Sequence, residues 1–561
     1  MRRLISFVGM LAMALGMLAS APAQAQTAEF RGFWADAFHA GFKTPEQVTK
    51  LVADAKRSNA NAIIAQVRRR GDAYYVSAIE PRTNDPDLAP GFDALQDLID
   101  KAHAEGIEVH AWLATLPVYL AGRTTTDPTH VWQRHGPTAP GRDNWAMLTD
   151  TGAAPGYLDP GHPDAVDYTV SVYLDVLRRY DVDGVHMDYV RYGAPNWGYN
   201  PTAVARFNAL YGRTGQPAPT DPLWMEWRRQ QVTNLVRKLY VESLAIRPDA
   251  KISGALIAFG AGPTTDQGWY ETRTYNEVLQ DWRAWLEEGI IDIAMPMNYD
   301  REYNAAQKLW YDQWITYEKD HQYNRHTTIG PGTYLNYIED GLAQIRRAQA
   351  PSPSGNYARG VQIYSYAATN VYSNDDFLAG GTASLPRQPW SYVPASNEWF
   401  YTALVQPSSY VDPANGQTYA TEPVWTAPAA VPAMPWKTQP TAGAIKGHVM
   451  TRDGQRFDTM TVTLEPLGGG SRRTLRTDGN GWFGAVELAP GTYKVSVNVA
   501  DAGYTGQHQR AVTIRAGQVV TVDFDKLRQH ERGQPADTTA LPYVPLTPEE
   551  QAQMQELQSQ P

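Results

Sequence analysis

The 561-residue chain predicts an α/β fold: a closed (β/α)8 TIM barrel followed by a small all-β sandwich domain. Three observations carry this. Between about Glu29 and Ala367, eight short β-rich runs alternate with amphipathic helical patterns, the mark of parallel strands joined by helical crossovers. No glycine-rich phosphate fingerprint follows the first run, which argues against an open doubly wound sheet. After a proline-rich stretch, short alternating strands split by turn residues replace that rhythm.

In order, the predicted strands are Phe30 to Ala35, Ala62 to Val67, Glu108 to Leu113, Gly184 to Asp188, Lys251 to Phe259, Asp292 to Met297, Thr327 to Gly330 and Gly360 to Tyr366. Thr44, Pro45 and Gln47 fit a capping box with proline at the first helical position, and Val48, Leu51, Val52 and Ala55 then repeat at helical spacing. Leu95, Leu98, Ile99 and Ala102 do the same, closed by Gly106. Further helices are predicted over Pro163 to Tyr180, Asp221 to Ile246, Tyr275 to Glu288 and Ala305 to Lys319. Long insertions, Leu116 to His162 and Tyr189 to Thr220, follow strands three and four on the side where barrels build their sites.

Around this barrel, assigned to 26–386, other segments take their roles from composition. Arg2 and Arg3, an apolar stretch and Ala23-Gln24-Ala25 read as a secretory signal over 1–25, so the expected location is periplasmic or secreted, with no transmembrane segment. Residues 387–443 read as a proline-rich linker or wrapping extension, 444–527 as the sandwich, and 528–561 as a mostly disordered tail. The absence of cysteine excludes a lipoprotein anchor, disulfides and thiolate metal sites. A net charge of −10 argues against a nucleic-acid partner.

The run "DVDGVHMDYVRYG" poses the chemical question, because its strand ends on Asp188. In a barrel the last inward position of a strand emerges at the mouth, so a rigid strand would hold this carboxylate toward a cleft. A loop cap or an ion pair with Arg191 explains it as well. Strand two ends in Arg68, Arg69, Arg70 and Asp72; strand three carries His110 and Trp112 on one face; strand six ends in Asn298, Tyr299, Asp300 and Glu302; strand eight offers Tyr364. Paired carboxylates with tyrosine, tryptophan, arginine, asparagine and histidine are the ingredients of glycoside hydrolysis. One carboxylate works at the anomeric carbon, a protonated one works at the leaving oxygen, and aromatic faces stack on sugar rings. Trp132, Trp145, Trp197 and Trp224, in or beside the insertions, suit sugar contact or loop packing. No HExxH spacing and no nucleophile elbow occur, and His186 with Asp188 is an alternating-strand pair, so a hydrolase without metal or cofactor is the simplest reading.

The segments "RGFWADAF", "AIIAQVRRRGDAYYVS", "IEVHAWL", "YLDPGHPDAVDYTVSVYLDVLRRYDVDGVHMDYVRYG" and "IDIAMPMNYDRE", in this order, resemble the successive signatures of the glycosyl-hydrolase-like family 10 of secreted bacterial barrels. The resemblance implies a glycosidase acting on the glycan strands of peptidoglycan. It places Asp188 as the strand-four carboxylate, with Asp183, Gly184 and His186 completing the motif. Tyr189 stands where many relatives carry a second aspartate, and Asp300 and Glu302 are taken as acid candidates by their place at the end of strand six. Arg68, Arg70 or Arg191 would meet the lactyl carboxylate of a muramic residue, or else form loop salt bridges. The C-terminal "GHVMTRDGQ…RTDGNGWFGAVELAPGTYKVSV" is similar to carboxypeptidase regulatory-like sandwiches, which gives a possible envelope or protein partner. A non-catalytic glycan-binding protein on the same scaffold is the alternative, and an inert barrel whose sandwich and tail dock a partner is a third.

Overall fold

The computed structural model describes residues 28–499, 504–506 and 508–529. The secretory signal expected over 1–25 and the tail expected beyond 529 lie outside these residues. The barrel strands are β1 (Phe30–Ala35), β2 (Ala62–Arg68), β3 (Glu108–Ala114), β4 (Gly184–Asp188), β5 (Lys251–Ile257), β6 (Ile293–Asn298), β7 (His326–Thr327), β8 (Gly330–Pro331) and β9 (Gly360–Tyr364). β1 to β6 pair in parallel and in order, β7 and β8 both pair with β6, and β9 pairs with β1. Bridges from Ile329 to Val361 and from Gly332 to Tyr364 complete the ring. The seventh barrel position is therefore one strand in two pieces, longer at its end than the sequence pattern predicts.

The helical segments follow local chemistry. Thr44 caps the helix Pro45–Arg57 by accepting the Gln47 amide at 3.3 Å, and its buried face is Val48, Leu51, Val52 and Ala55. Asp221 caps the helix Pro222–Ile246. The continuous helix expected from Tyr275 to Glu288 is instead two pieces, Arg273–Asn276 and Trp282–Glu288. Leu279 turns the chain at a positive φ of 55°, and the Asp281 side chain caps the second piece, a local bond that competes with helix continuation. The insertion after β4 holds a further helix, Pro201–Tyr211, that the sequence pattern did not reveal; Asn200 caps it.

Residues 387–443 wrap the barrel. They form a helix, Ser396–Val405, and a hairpin of Ser408–Val411 with Thr418–Thr421, then run back under the N-terminal ends of the strands. There Trp436 donates to Asp292 at 2.7 Å and Lys437 pairs with the same carboxylate at 3.0 Å. The sandwich has a five-stranded and a four-stranded sheet around Ile445, Val449, Phe457, Val462, Phe483, Val495 and Phe524. It docks on the barrel's outer helices through buried ion pairs. Arg206 grips Asp458 with bonds of 2.6 and 3.0 Å, Lys238 meets Asp478 at 2.8 Å, and Trp482 donates to Glu242 at 2.9 Å. Gly479 has no side chain because a Cβ there would stand 2.8 Å from the Arg206 guanidinium. Among the described residues no helix is long and apolar enough to cross a membrane.

Candidate active site

The motif of β4 is explained rung by rung. Asp183 precedes the strand and accepts the Val109 amide at 2.8 Å and the His103 ring at 2.9 Å, which ties β4 to β3. The register then sets His110 beside Gly184, Trp112 beside His186 and Ala114 beside Asp188. Gly184 is required because a Cβ there would lie 2.7 Å from His110 Nδ1. One layer up, the Trp34 indole donates to His186 Nε2 at 3.1 Å, so His186 carries its proton on Nδ1 and donates to Ser253 Oγ at 2.9 Å. Full burial holds this imidazole neutral, well below its ordinary pKa.

Asp188 crowns the ladder. It is 5% exposed. Its Oδ1 accepts the Tyr189 amide at 2.6 Å and faces the Arg191 guanidinium at 3.5 Å. Burial pushes the carboxyl above the ordinary aspartate range; Arg191, the Tyr189 amide and the Trp112 indole pull it partly back. Tyr189 adopts a positive φ of 52°, a conformation costly for an aromatic residue, and this turn delivers its amide to the carboxylate. Arg191 lies 4.5 Å over the Tyr189 ring.

Tyrosines surround the carboxylate. Tyr299 and Tyr364 stack at 5.4 Å, Tyr334 meets both edge-on at 5.8 and 5.4 Å, and Trp34 and Trp112 form the floor beneath Tyr364. Tyr157 packs 6.4 Å from Tyr189 on another side. Tyr299 and Tyr364 both feel the negative field of Asp188. This half-buried aromatic mouth with one carboxylate can stack sugar rings and present an oxygen nucleophile or base to an anomeric carbon.

Several residues expected at the mouth are elsewhere. Arg68 is buried against Glu80 at 2.8 Å and also donates to the Ala114 carbonyl. A register shift between Gln66 and Arg68 turns it outward, so Arg69 takes the mouth position instead. Asp72 folds onto its own loop, accepting the Arg70 amide at 3.1 Å. His110 lies two layers below the rim, 3.2 Å from Glu108. Both His186 nitrogens are already engaged, and Asn298 faces outward to donate to Glu318 at 2.9 Å. Glu302 is ion-paired with Arg347 at 2.6 Å and Lys308 at 2.8 Å, and these partners hold it ionised, below the ordinary glutamate range, in the helical layer. Asp300 is buried, with Oδ2 unpartnered, and burial pushes its carboxyl up to about 7. Its charged neighbours are Arg301 and Glu318, so the structure does not bring it to Asp188. Trp112, Arg191, Tyr299 and Tyr364 do gather around Asp188.

The sequence reading missed Asp36 and His39 at the end of β1. Asp36 accepts the His39 ring at 2.8 Å, and His39 also meets Asp375 at 3.1 Å; these bonds, that to Asp36 foremost, raise the imidazole to about 9. The polar pair in "FWADAFHAG" directly after an apolar strand was the available signal. Tyr157 carried none, because a long loop brings it in, and Tyr334 stands just past β8 in the short turn Thr333–Leu335, which has no marking pattern. Among the described residues no three histidine, aspartate or glutamate side chains gather as a metal site.

The family model described as glycosyl hydrolase-like 10 matches residues 29–344, and the carboxypeptidase regulatory-like domain matches 444–526. Among curated proteins, the chain is 30% identical over 305 residues to glycosyl hydrolase YngK of Bacillus subtilis, covering 52% of this chain and 56% of that one. It is 27% identical over 280 residues to glycosyl hydrolase DigH of Escherichia coli K12, covering 46% and 60%. The match thus spans less than two thirds of these relatives. Among solved structures, the PgaB (BpsB) glycoside hydrolase domain of Bordetella bronchiseptica aligns at TM-score 0.41 and 18% identity over 63% of this chain and 96% of that one.

Proposed function

This chain belongs to the glycosyl hydrolase-like 10 family, and from that premise we propose that it is a secreted glycosidase of the cell envelope that cuts the glycan strands of peptidoglycan. Asp188 is the carboxylate that acts at the anomeric carbon, as nucleophile or through an activated water. One observation carries the reading: the Asp188 carboxyl sits at the end of β4, inside a mouth walled by Tyr299, Tyr334, Tyr364, Tyr189 and Tyr157. The barrel strand fixes its position, and Arg191 and the Tyr189 amide stabilise its ionised form. Asp300, buried and with a carboxyl pushed up to about 7, has the electrostatics of a proton donor although it does not stand beside Asp188, so it is the acid to test. Location in the periplasm or medium is inferred from the N-terminal signal pattern.

The test is product release from purified envelope glycan strands, with Asp188→Asn as control. We expect the variant to lose at least about a thousandfold in turnover while still binding the strand. Unchanged turnover would remove Asp188 from the mechanism. One observation favours a second reading, a glycan-binding protein without catalysis: neither Asp300 nor Glu302 stands beside Asp188. In that case the native chain binds the strands and releases no product.

A further inference from the structure

We propose that a cavity beside the barrel mouth, lined by Phe38, Arg69, Arg70, Leu120 and Arg123, is a subsite for the carboxylate of an acidic sugar residue. The proposal rests on Asp188 marking the glycan-cleaving mouth. The cavity holds about 550 Å3 and is bounded by the loops that follow β1, β2 and β3. Its charges do not cancel. Against its four cationic side chains, Lys43, Arg69, Arg70 and Arg123, the lining sets two carboxylates, Asp85 and Asp87, which Lys43 meets at 3.0 and 3.3 Å, so a surplus of two positive charges remains. Among the described residues, the guanidinium groups of Arg69, Arg70 and Arg123 form no ion pair. Arg69 donates to the Ala37 carbonyl at 3.1 Å and lies 3.9 Å over the Phe38 ring. Arg70 is 8% exposed, and its Nε has no hydrogen-bond partner. Arg123 is exposed on the cavity rim.

Such a cluster is unusual in a chain of net charge −10, so it is not part of a generally basic surface. Asp72 and Asp85 act on the buried Arg70 guanidinium, yet burial and the neighbouring Arg69 still lower its pKa, and an anion in the cavity would offset that cost. Asp72, the nearest carboxylate to Arg70 in sequence, points one oxygen at the Arg70 amide. The rest of the lining identifies the kind of anion. Phe38 is 52% exposed and Leu120 is 54% exposed, an apolar rim that suits the C–H face of a sugar ring. Planar guanidinium forks match a carboxylate. Arg69 links the cavity to the mouth, because its positive charge acts on Tyr189, the neighbour of Asp188. A sugar stacked among the mouth tyrosines would therefore have its acidic neighbour directed toward this cavity.

The experiment uses the full chain carrying Asp188→Asn, so that binding is read without turnover. Calorimetry compares three probes: an N-acetylmuramic-acid-containing oligosaccharide, the same oligosaccharide with its carboxyls reduced to alcohols, and an oligosaccharide of uronic acids. We expect the carboxylated probes to bind at least about tenfold tighter than the reduced one, the scale of a charge-assisted bidentate contact. Adding Arg123→Gln or Arg70→Gln should bring that ratio close to one and leave affinity for the reduced probe unchanged. Arg123 is exposed, so its variant keeps the test open should the buried Arg70 variant misfold. A preference for the muramic probe assigns the carboxylate to the lactyl ether, and a preference for the uronic probe assigns it to the ring; both support the subsite. Equal binding of carboxylated and reduced probes, or equal losses on both in the arginine variants, would overturn the subsite alone. Failure of all three to bind would overturn the glycan reading beneath it.

Discussion

Asp300→Asn separates what a buried carboxyl costs the fold from what it does for function. The group is 6% exposed, one of its oxygens has no partner, and burial raises its pKa from 3.8 to about 7. Below pH 3.8 both folded and unfolded chains keep the proton, and the group imposes no penalty. As the pH rises from 3.8 to 7 the unfolded chain ionises while the folded chain holds its proton, so the unfolded state gains. Above 7 the folded protein carries the whole cost of an ionised buried carboxylate. A shift of about three units at 1.36 kcal/mol each sets a ceiling of about 4 kcal/mol. Glu318 beside it, raised by burial to about 8, adds a loss in the same direction, and Asp300 contributes to that rise. The assay is the denaturant midpoint of the full chain at pH 5 and pH 8.5, for wild type and variant. We expect the wild type to lose stability across this interval and Asp300→Asn to lose less, by up to about 2.7 kcal/mol, because at pH 5 the unfolded carboxyl is already largely ionised and about a third of the ceiling is already present. Parallel pH dependences, differing by less than about 0.5 kcal/mol, would refute the assignment of a strained carboxyl. The same variant reads chemistry. A proton donor lost here would lower turnover by about 100-fold or more and remove the alkaline limb near pH 7, whereas a purely structural carboxyl would leave both in place.

Two further outcomes are expected. Arg191→Gln removes the main group that lowers the Asp188 pKa, so the acidic limb of kcat/KM should move to higher pH; an unmoved limb would mean that Asp188 does not set it. Arg206→Met leaves Asp458, which is 5% exposed, buried without its counter-charge; this should cost about 3 to 5 kcal/mol and expose the 452–459 loop to protease, and a melting curve matching the wild type would show that the sandwich is held by its other contacts.

How much of this was legible in the sequence depends on the range of the interaction. The Thr44 cap, the alternation of runs and the strand-four run ending on Asp188 are local patterns and each is present, but the capping box forms only by half, because Gln47 Oε1 accepts the Gly41 and Lys43 amides and not that of Thr44. Periodicity fails where one residue is added to a strand. The shift between Gln66 and Arg68 exchanges the faces of the arginine run, so that Arg68 joins Glu80 and Arg69 reaches the mouth. No propensity announces such a bulge, because it is settled by pairing with β3.

The barrel, the sandwich and an acid at the end of strand four can be read along the chain, because hydrophobic period and strand ends are properties of neighbouring residues. Which carboxylates come together is settled by packing between segments far apart in the chain. Asp300 and Glu302 follow the inward Tyr299, yet one packs near Glu318 and the other pairs with Arg347 and Lys308, partners 18, 45 and 6 residues away. The same holds for the mouth itself. Tyr157, Tyr334 and Asp36 come from three separate loops, and closure of the ring by β9 on β1 brings their strand ends to one rim. Side-chain identity sets what each group can do, and the three-dimensional path of the chain sets the company in which it does it.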